Sequence, residues 1–243
     1  MDIDRNPADG IADGLLPRSG EPFGHALRRY WTLDPAVHFL NHGSYGACPR
    51  HVLNRQAQWR ALMEREPVRF MNDILPQALR EARDALAEFV GATPQNLVFV
   101  ENATAGVNAV LRSQDWRTGE AIVLANHAYP AVKNTARFLA QLHGLRVVEA
   151  DIPWPLTDAG AIVDAYVRAI SAGARVAVVD HIFSPLAVET PLDQIARACR
   201  SQGVMLVVDG AHAPALLPLE LDALAALGVD CYTGNAHKWL CAP

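Results

Sequence analysis

Lysine is rare in this chain of 243 residues. Its 21 basic side chains comprise nineteen arginines and only two lysines, Lys133 and Lys238. A guanidinium stays protonated, whereas an amine loses its proton readily when it is desolvated and can then form a Schiff base with a carbonyl compound. Lys238 follows a strand-like run, in the segment TGNAHKW, and is therefore a candidate covalent group. Lys133 lies in a helical pattern, AVKNTARF, where a solvated amine is expected.

A carboxylate follows another strand pattern, 29 residues before Lys238. Asp209 ends the apolar run MLVVD, which is typical of a strand buried on both faces, and His212 comes three residues later. A buried carboxylate needs an ionic or hydrogen-bonding partner, although an aspartate here is equally typical of a helix cap. Further polar residues follow the strand pattern at 175–180: Asp180, His181 and Ser184. Loop polarity is the simpler explanation of these three.

Two more segments carry groups that suit a flat, phosphorylated ligand. In ENATAGVNAVL, the small residues around Ala103 and Thr104 open a helix, and the N–H groups at a helix start bind phosphate well. An ordinary threonine cap explains the same residues. In NHAYPAV, either His127 or Tyr129 could lie flat on an aromatic ligand, and the sequence does not choose between them.

Strand and helix patterns alternate through most of the chain. Strands are predicted at 97–101, 120–125, 145–149, 175–180, 204–209 and 229–233, and helices at 49–66, 72–90, 104–112, 130–143, 160–172, 192–202 and 219–227. This alternation, with nearly continuous apolar strands, predicts an α/β fold: a three-layer αβα arrangement around a mostly parallel sheet. Ligands of such sheets bind beyond the carboxyl ends of the strands, where the residues named above are expected to meet.

Composition excludes several classes of partner. The net charge of −5 provides no basic surface for nucleic acid or an anionic membrane. The four cysteines are scattered, which favours reduced thiols in a cytoplasmic protein. No apolar leader or membrane-length run is present in the sequence. Cys231, His237 and Cys241 lack metal-ligand spacing, so no metal is expected. A dinucleotide-binding module is disfavoured because the first strand is not followed by G-x-G-x-x-G.

A buried carboxylate, a phosphate cradle, a flat ring and a lone amine are the parts that a pyridoxal phosphate site requires. The chain resembles the isopenicillin N epimerase-like branch of the class V aminotransferase superfamily, which has fold-type I. The resemblance covers nearly the whole chain after residue 22, in the family's order. It rests on FLNHGSYGACP (39–49), ENATAGVNAVL (101–111), NHAYPAV (126–132), DHIFSP (180–185), VVDGAHAPA (207–215) and TGNAHKW (233–239).

The resemblance implies a role for each motif residue. Lys238 would hold the cofactor as a Schiff base, Asp209 would pair with the pyridine nitrogen, and His212 and Ser184 would lie near the ring hydroxyl. The phosphate would be held by Ala103, Thr104, Asn235 and His237, and the ring would stack on His127 or Tyr129. The loop formed by Asn41, His42, Gly43 and Ser44 would approach the substrate. Leu186 departs from the small or hydroxyl residue that is usual in this branch, which would alter the substrate pocket.

The implied activity is pyridoxal phosphate chemistry at the α-carbon of an amino acid, in a homodimer: epimerisation or β-elimination, including C–S cleavage, with amino-group transfer as a further possibility. The chain is expected to divide into a loose arm (1–22), a helical segment (23–96) and an incomplete cofactor-binding major domain (97–243). Family members continue well beyond the lysine, with a further strand and a small domain that carries a carboxylate-binding arginine. The alternative is therefore a truncated, non-catalytic fragment that acts only as a structural or interaction module.

Overall fold

A computed structural model describes residues 20–243, which form two units. The first unit contains the residues up to Ala85 together with Ala236–Pro243, and the second is Leu86–Asn235. Most of the predicted arm, residues 1–19, lies outside the described residues. The predicted division at residues 22 and 96 stays a prediction.

The first unit is helical. It contains a 3₁₀ helix (His25–Tyr30), α1 (Arg50–Arg65), the short α2 (Pro67–Arg69), a π-helical turn (Phe70–Ile74) and the larger part of α3 (Leu75–Val90), whose last turn belongs to the second unit. Glu66 interrupts the helices with an extended φ of −154°, and Pro67 restarts the helix at its first position, where a missing N–H costs nothing. The predicted helices at 49–66 and 72–90 are thus present, joined by further helical turns.

The second unit is built around five parallel strands in the order β2-β1-β3-β6-β7. These strands are β1 (Ala121–Ala125), β2 (Arg146–Ala150), β3 (Ala174–Asp180), β6 (Met205–Gly210) and β7 (Cys231–Gly234). A separate antiparallel hairpin pairs β4 (Ile182–Phe183) with β5 (Val188–Glu189). All five residues of β1 are buried, as expected for a strand covered on both faces.

Helices connect the parallel strands: α4 (Ala103–Arg112), α5 (Pro130–His143), α6 (Gly160–Ile170), α7 (Leu192–Ser201) and α8 (Leu221–Leu227). Helix α4 packs on α5, whereas α6, α7 and α8 form a second contiguous group. Right-handed crossovers place these two groups on opposite faces of the sheet. The α/β prediction of helices on both faces of a mostly parallel sheet is confirmed.

The strand order reverses at β1. The chain leaves β1 through α5 towards β2, and it leaves β3 through α7 in the opposite direction, towards β6. The loops that follow β1 and β3 therefore diverge to opposite faces and leave a crevice beyond the carboxyl ends of these two neighbouring strands. In open α/β sheets this switch point is where ligands bind.

One predicted strand is not formed. Residues 97–101 have no regular structure, and Val98, Phe99 and Val100 are exposed, Val98 by 77%. The prediction of a strand here is wrong: the segment is apolar, but a strand needs a hydrogen-bonded neighbour, and no strand in residues 20–243 pairs with it. No helix within the same range combines the length and apolar composition needed to cross a membrane.

Candidate active site

The start of α4 is organised by two asparagines. The Asn102 side chain caps the helix by accepting a hydrogen bond from the Ala105 N–H at 2.9 Å. The Ala103 N–H donates to the Asn235 side-chain oxygen at 2.8 Å, and Asn235 is buried. Two of the N–H groups at the helix start are thus occupied within the second unit. The half-exposed Thr104 lies between them in the first turn of the helix.

A close approach of α4 to β7 sets the position of this helix end. A Cβ atom at Gly106 would lie 2.7 Å from Cγ2 of Thr233, which is closer than real carbon contacts allow. Glycine is therefore required at this point of α4. The contact brings the helix start beside the end of β7, where Asn235 can reach the Ala103 N–H.

Two aspartates end neighbouring strands at the carboxyl edge. Asp180 on β3 and Asp209 on β6 are register partners, and they are only 4% and 5% exposed. One carboxylate oxygen of Asp209 accepts the Ala211 N–H at 3.0 Å. Burial raises the pKa of Asp180 well above its ordinary value, and the nearby charge of Asp209 raises it further. A bond from the Tyr129 N–H opposes these effects without overcoming them.

A hydrogen-bonded histidine–tyrosine pair neighbours Asp209; its His181 is buried and its Tyr232 half-buried. The Nδ1 atom of His181 is 2.8 Å from the Tyr232 hydroxyl, and the His181 N–H donates to the Asp209 carbonyl at 2.8 Å. Burial lowers the pKa of His181 to about 4, so its ring is neutral near pH 7. A Cβ at Gly210 would lie 2.3 Å from the Tyr232 ring, so this position too requires glycine. Because its histidine is neutral, the pair adds no positive charge beside Asp209.

The loop after β1 distinguishes His127 from Tyr129. His127 is half-buried, its Nε2 atom lies 3.1 Å from the Ile152 carbonyl, and its ring packs edge-on against Phe183. Tyr129 is 43% exposed and precedes Pro130, the first residue of α5. The histidine ring is therefore fixed by its surroundings, whereas the tyrosine ring extends from a helix start.

The two residues expected near the ring hydroxyl occupy turns. Ser184 is exposed, in the turn between β4 and β5, and His212 is half-buried, in the turn after β6. Both turns follow strands at the carboxyl edge, because β4 directly continues the chain from β3. Their predicted contacts with a cofactor stay predictions, as do those of His237.

Within the first unit, the predicted substrate loop lies against the segment that contains Lys238. The Gly46 N–H donates to the His237 carbonyl at 2.8 Å, and a Cβ at Gly46 would lie 1.9 Å from the Lys238 carbonyl oxygen. The His42 ring is 6.3 Å from that of Trp239 and accepts the Ala47 N–H at Nδ1.

The turn at Asn41, His42, Gly43 and Ser44 is closed by a bond from the Ser44 N–H to the Asn41 side chain. Two motifs that are nearly 200 residues apart in sequence are thus neighbours in the fold. The convergence of Asp209 with Lys238 stays a prediction.

Sequence reasoning missed Asn126 and Tyr232, and it treated Asp180 as loop polarity. The structure places Asp180 and Tyr232 around Asp209, and Asn126 beside His127. Burial of Asp180 was detectable in principle, because it ends the apolar run ARVAVVD. Within residues 20–243, no three His, Cys, Asp or Glu side chains are grouped as metal ligands.

Comparison with known proteins gives this arrangement a family. The model of the class-V aminotransferase family matches residues 48–243. The chain belongs to this family. The isopenicillin N epimerase of Streptomyces clavuligerus is 34% identical over 211 residues, which are 87% of this chain and 52% of that protein. A probable chloroplastic L-cysteine desulfhydrase of Arabidopsis thaliana is 30% identical over 225 residues, which are 86% of this chain and 47% of that protein.

Solved structures support the same fold for this class-V aminotransferase chain. A cystine C–S lyase in complex with cysteine persulfide matches with a TM-score of 0.76 at 24% identity, over 84% of this chain and 54% of that one. The apo cysteine desulfurase of Thermococcus onnurineus matches with a TM-score of 0.75 at 20% identity, over 92% of this chain and 55% of that one. The chain spans about half the length of the curated relatives it matches.

Proposed function

We propose that this chain is the cofactor-binding part of a pyridoxal phosphate enzyme that acts at the α-carbon of an amino acid, as an epimerase or a β-eliminating lyase. The observation that carries the proposal is the place of Asp209. Its carboxylate is almost fully buried, at the end of an interior strand beside the topological switch point. A desolvated anion there suits the protonated nitrogen of a pyridine ring.

The other groups of the second unit fit the same cofactor. Thr104 offers a hydroxyl at the helix start for a phosphate, next to the Ala103–Asn235 bond. We assign the stacking ring to His127 rather than Tyr129, because the histidine ring is the one held in place. The family match over residues 48–243 supports Lys238 as the amine that bonds the cofactor's aldehyde carbon.

Bound pyridoxal phosphate supplies an electron sink for negative charge at the substrate's α-carbon. Asp209 would pair with the protonated ring nitrogen of that group, and the Lys238 amine would act as the general base for the α-proton. Epimerisation would require a proton donor on the opposite face of the α-carbon, whereas the lyase outcome would require a leaving group at the substrate's β-carbon.

Borohydride trapping and peptide mapping test the assignment of the lysine. Reduction of the protein incubated with pyridoxal phosphate should leave a stable pyridoxyl adduct on Lys238, and Lys238→Ala should abolish it. Lys133→Ala is the matched control. The Lys133 side chain is only 15% exposed and its nitrogen lies 3.0 Å from the Glu149 carboxylate, so it is already engaged in an ion pair. An adduct on Lys133, or on neither lysine, would refute the proposal.

Product analysis separates the two activities and the alternative without catalysis. Chiral chromatography of amino acids incubated with the protein detects inversion at the α-carbon. Release of sulfide and a keto acid from cysteine or cystine detects β-elimination. Names among the relatives include both an isopenicillin N epimerase and a hercynylcysteine sulfoxide lyase, the latter from Schizosaccharomyces pombe. Cofactor binding with neither product would favour a structural module.

We propose further that the protein is a cytoplasmic homodimer. The first unit exposes four large apolar side chains on residues 23–45, namely Phe23, Val37, Leu40 and Tyr45. A second copy of the same chain would remove them from water. All four cysteines are free thiols, which suits a reducing compartment. Light scattering should give twice the chain mass, and Leu40→Asp should lower it.

A further inference from the structure

Every polar group of Asn126, the first residue after β1, has a hydrogen-bond partner. Its N–H donates to the Ala150 carbonyl at 3.0 Å, and its carbonyl accepts a bond from the Lys133 ammonium at 3.0 Å. Its side chain accepts the Ile152 N–H at 3.1 Å and donates to the Ile152 carbonyl at 3.1 Å. The amide also donates to the Asp151 carboxylate at 3.0 Å. The side chain thus clamps the backbone of one residue, Ile152, from both sides.

His127 contacts the same Ile152 carbonyl that Asn126 holds. The Nε2 atom of His127 is 3.1 Å from the Ile152 oxygen. A carbonyl oxygen can only accept, so Nε2 carries the hydrogen and Nδ1 of the neutral ring carries the lone pair. Ile152 and Phe183, which packs against the ring, are both buried. The ring is therefore anchored at one nitrogen and along one edge.

The hydrogen bonds of the Asn126 side chain hold the chain beyond the point where β1 and β2 are paired. β1 and β2 remain paired up to Ala125 and Ala150, and the Asn126 N–H adds one more ladder bond. Ile152 lies two residues past the end of β2, so the ladder does not fix its carbonyl. Among the contacts of residues 20–243, only the Asn126 side chain forms hydrogen bonds with both the N–H and the carbonyl of Ile152.

We propose that Asn126 is a positioning residue, which holds His127 as the Nε2–H tautomer with a fixed ring plane by clamping Ile152. The inference rests on the proposed function, in which the His127 ring stacks on the cofactor. Stacking depends on the orientation of the ring planes, and a ring that is already ordered loses less entropy on binding.

Lys133 gives the same loop its second anchor. Its ammonium bridges the Asn126 carbonyl and the Glu149 carboxylate, both at 3.0 Å, and so joins α5 to β2 and to the loop. A compact ammonium with three donors suits this short bridge. The second lysine of the chain thus has a structural explanation at the same site.

Nitrogen-15 NMR of the histidine rings in the cofactor-free protein tests the clamp directly, with His127→Gln used to assign the resonances. The parent should show His127 as one tautomer, protonated at Nε2. Asn126→Ala should give a mixture of tautomers and weaken pyridoxal phosphate binding about tenfold, the equivalent of one lost hydrogen bond.

Glu120→Ala is the matched control. Glu120 clamps the loop before β1, by accepting the Arg117 N–H at 2.8 Å and pairing with Arg175 at 3.0 Å. Its loss should lower stability and leave the His127 resonances unchanged.

The outcomes separate the inference from the proposed function. A single Nε2–H tautomer in Asn126→Ala, or mixed tautomers with undiminished cofactor affinity, would overturn the positioning role. A parent that binds no pyridoxal phosphate would overturn the proposed function, while the tautomer measurement would still decide the clamp. If Asn126→Ala does not fold, Asn126→Asp takes its place, because it keeps the bond from the Ile152 N–H and removes both donated bonds. It should show the same mixed tautomers, and a single tautomer would again overturn the inference.

Discussion

Replacement of Gly106 by alanine tests the contact that places the start of α4 beside β7. The new Cβ would lie 2.7 Å from Cγ2 and 3.2 Å from Cβ of Thr233. Thr233 is buried, and its β-branched side chain has little freedom to turn away. Either α4 or β7 must therefore shift, and the Ala103–Asn235 bond at the helix start shifts with it.

Two opposing effects set the magnitude. Alanine favours a helix interior over glycine by about 1 kcal/mol. Overpacking a well-filled core costs about 1–3 kcal/mol. Gly106→Ala should therefore lower the free energy of unfolding by about 0–2 kcal/mol, the difference of these two terms. Thr233→Ser removes Cγ2, the nearest atom, so the double variant should recover the clash term and show a favourable coupling of about 1–3 kcal/mol.

Urea unfolding of the parent, both single variants and the double variant measures this coupling, with the slopes compared to confirm that midpoints report stability. Ala109→Gly is the control for helix preference, because Ala109 is an exposed position of the same helix, and it should cost about 1 kcal/mol. Pyridoxal phosphate affinity should fall in Gly106→Ala and return in the double variant. Additivity of the two substitutions within about 0.5 kcal/mol would refute the reasoning.

Three further outcomes are expected. Asp209→Asn should lower turnover of an amino-acid substrate by roughly two to four decades, since a lost ion pair in a desolvated site costs about 3–5 kcal/mol. Turnover within a few-fold of the parent would show that Asp209 only caps the backbone after β6. The raised pKa of Asp180 means that the folded chain keeps a proton that the unfolded chain releases above the ordinary value of 3.8. The stability that Asp180 contributes is thus full below that pH and is lost as the pH rises towards the folded pKa. Asp180→Asn should gain stability relative to the parent as the pH rises in urea titrations, and parallel pH profiles would contradict this. Finally, β7 pairs only with β6 in residues 20–243, and Phe99 is exposed. Light scattering should therefore show that the chain self-associates and that Phe99→Lys self-associates less. A monomeric parent chain would contradict this prediction.

The sheet was predictable from sequence where its strands are covered on both faces. β1, β3 and β6 are nearly continuous apolar runs, and these strands are almost entirely buried. Such runs between helical patterns are typical of parallel strands covered by helices on both faces. The segment 97–101 has the same composition but no strand partner among the described residues. Pairing depends on residues distant in sequence, so an apolar pattern indicates the tendency to form a strand and not the presence of its neighbour. The two-residue strands β4 and β5 are too short to show any period.

The site was predictable residue by residue only where a side chain suggests its own chemistry. Lys238 was identified because lysine is rare in this chain and an amine can form a Schiff base, and Asp209 because a carboxylate is costly after an apolar strand. Asn126 has no such signal, since its role depends on Ile152, 26 residues away across the β1–β2 pair. The N–H of Ala103 was expected to be available to a phosphate, and it is instead bonded to Asn235, 132 residues away.

The position of Asp209 in the sheet, more than its identity, suits it to hold a cation. β6 lies between β3 and β7 in the sheet, and Asp209 is only 5% exposed to water. Coulomb attraction strengthens as the effective dielectric falls, and Asp180 beside it carries a raised pKa for the same reason. The raised pKa of Asp180 favours its neutral form, which weakens the repulsion between the two neighbouring carboxyl groups. A buried Asp209 carboxylate at the carboxyl end of β6 would then suit one pyridinium, the cation that the proposed cofactor supplies.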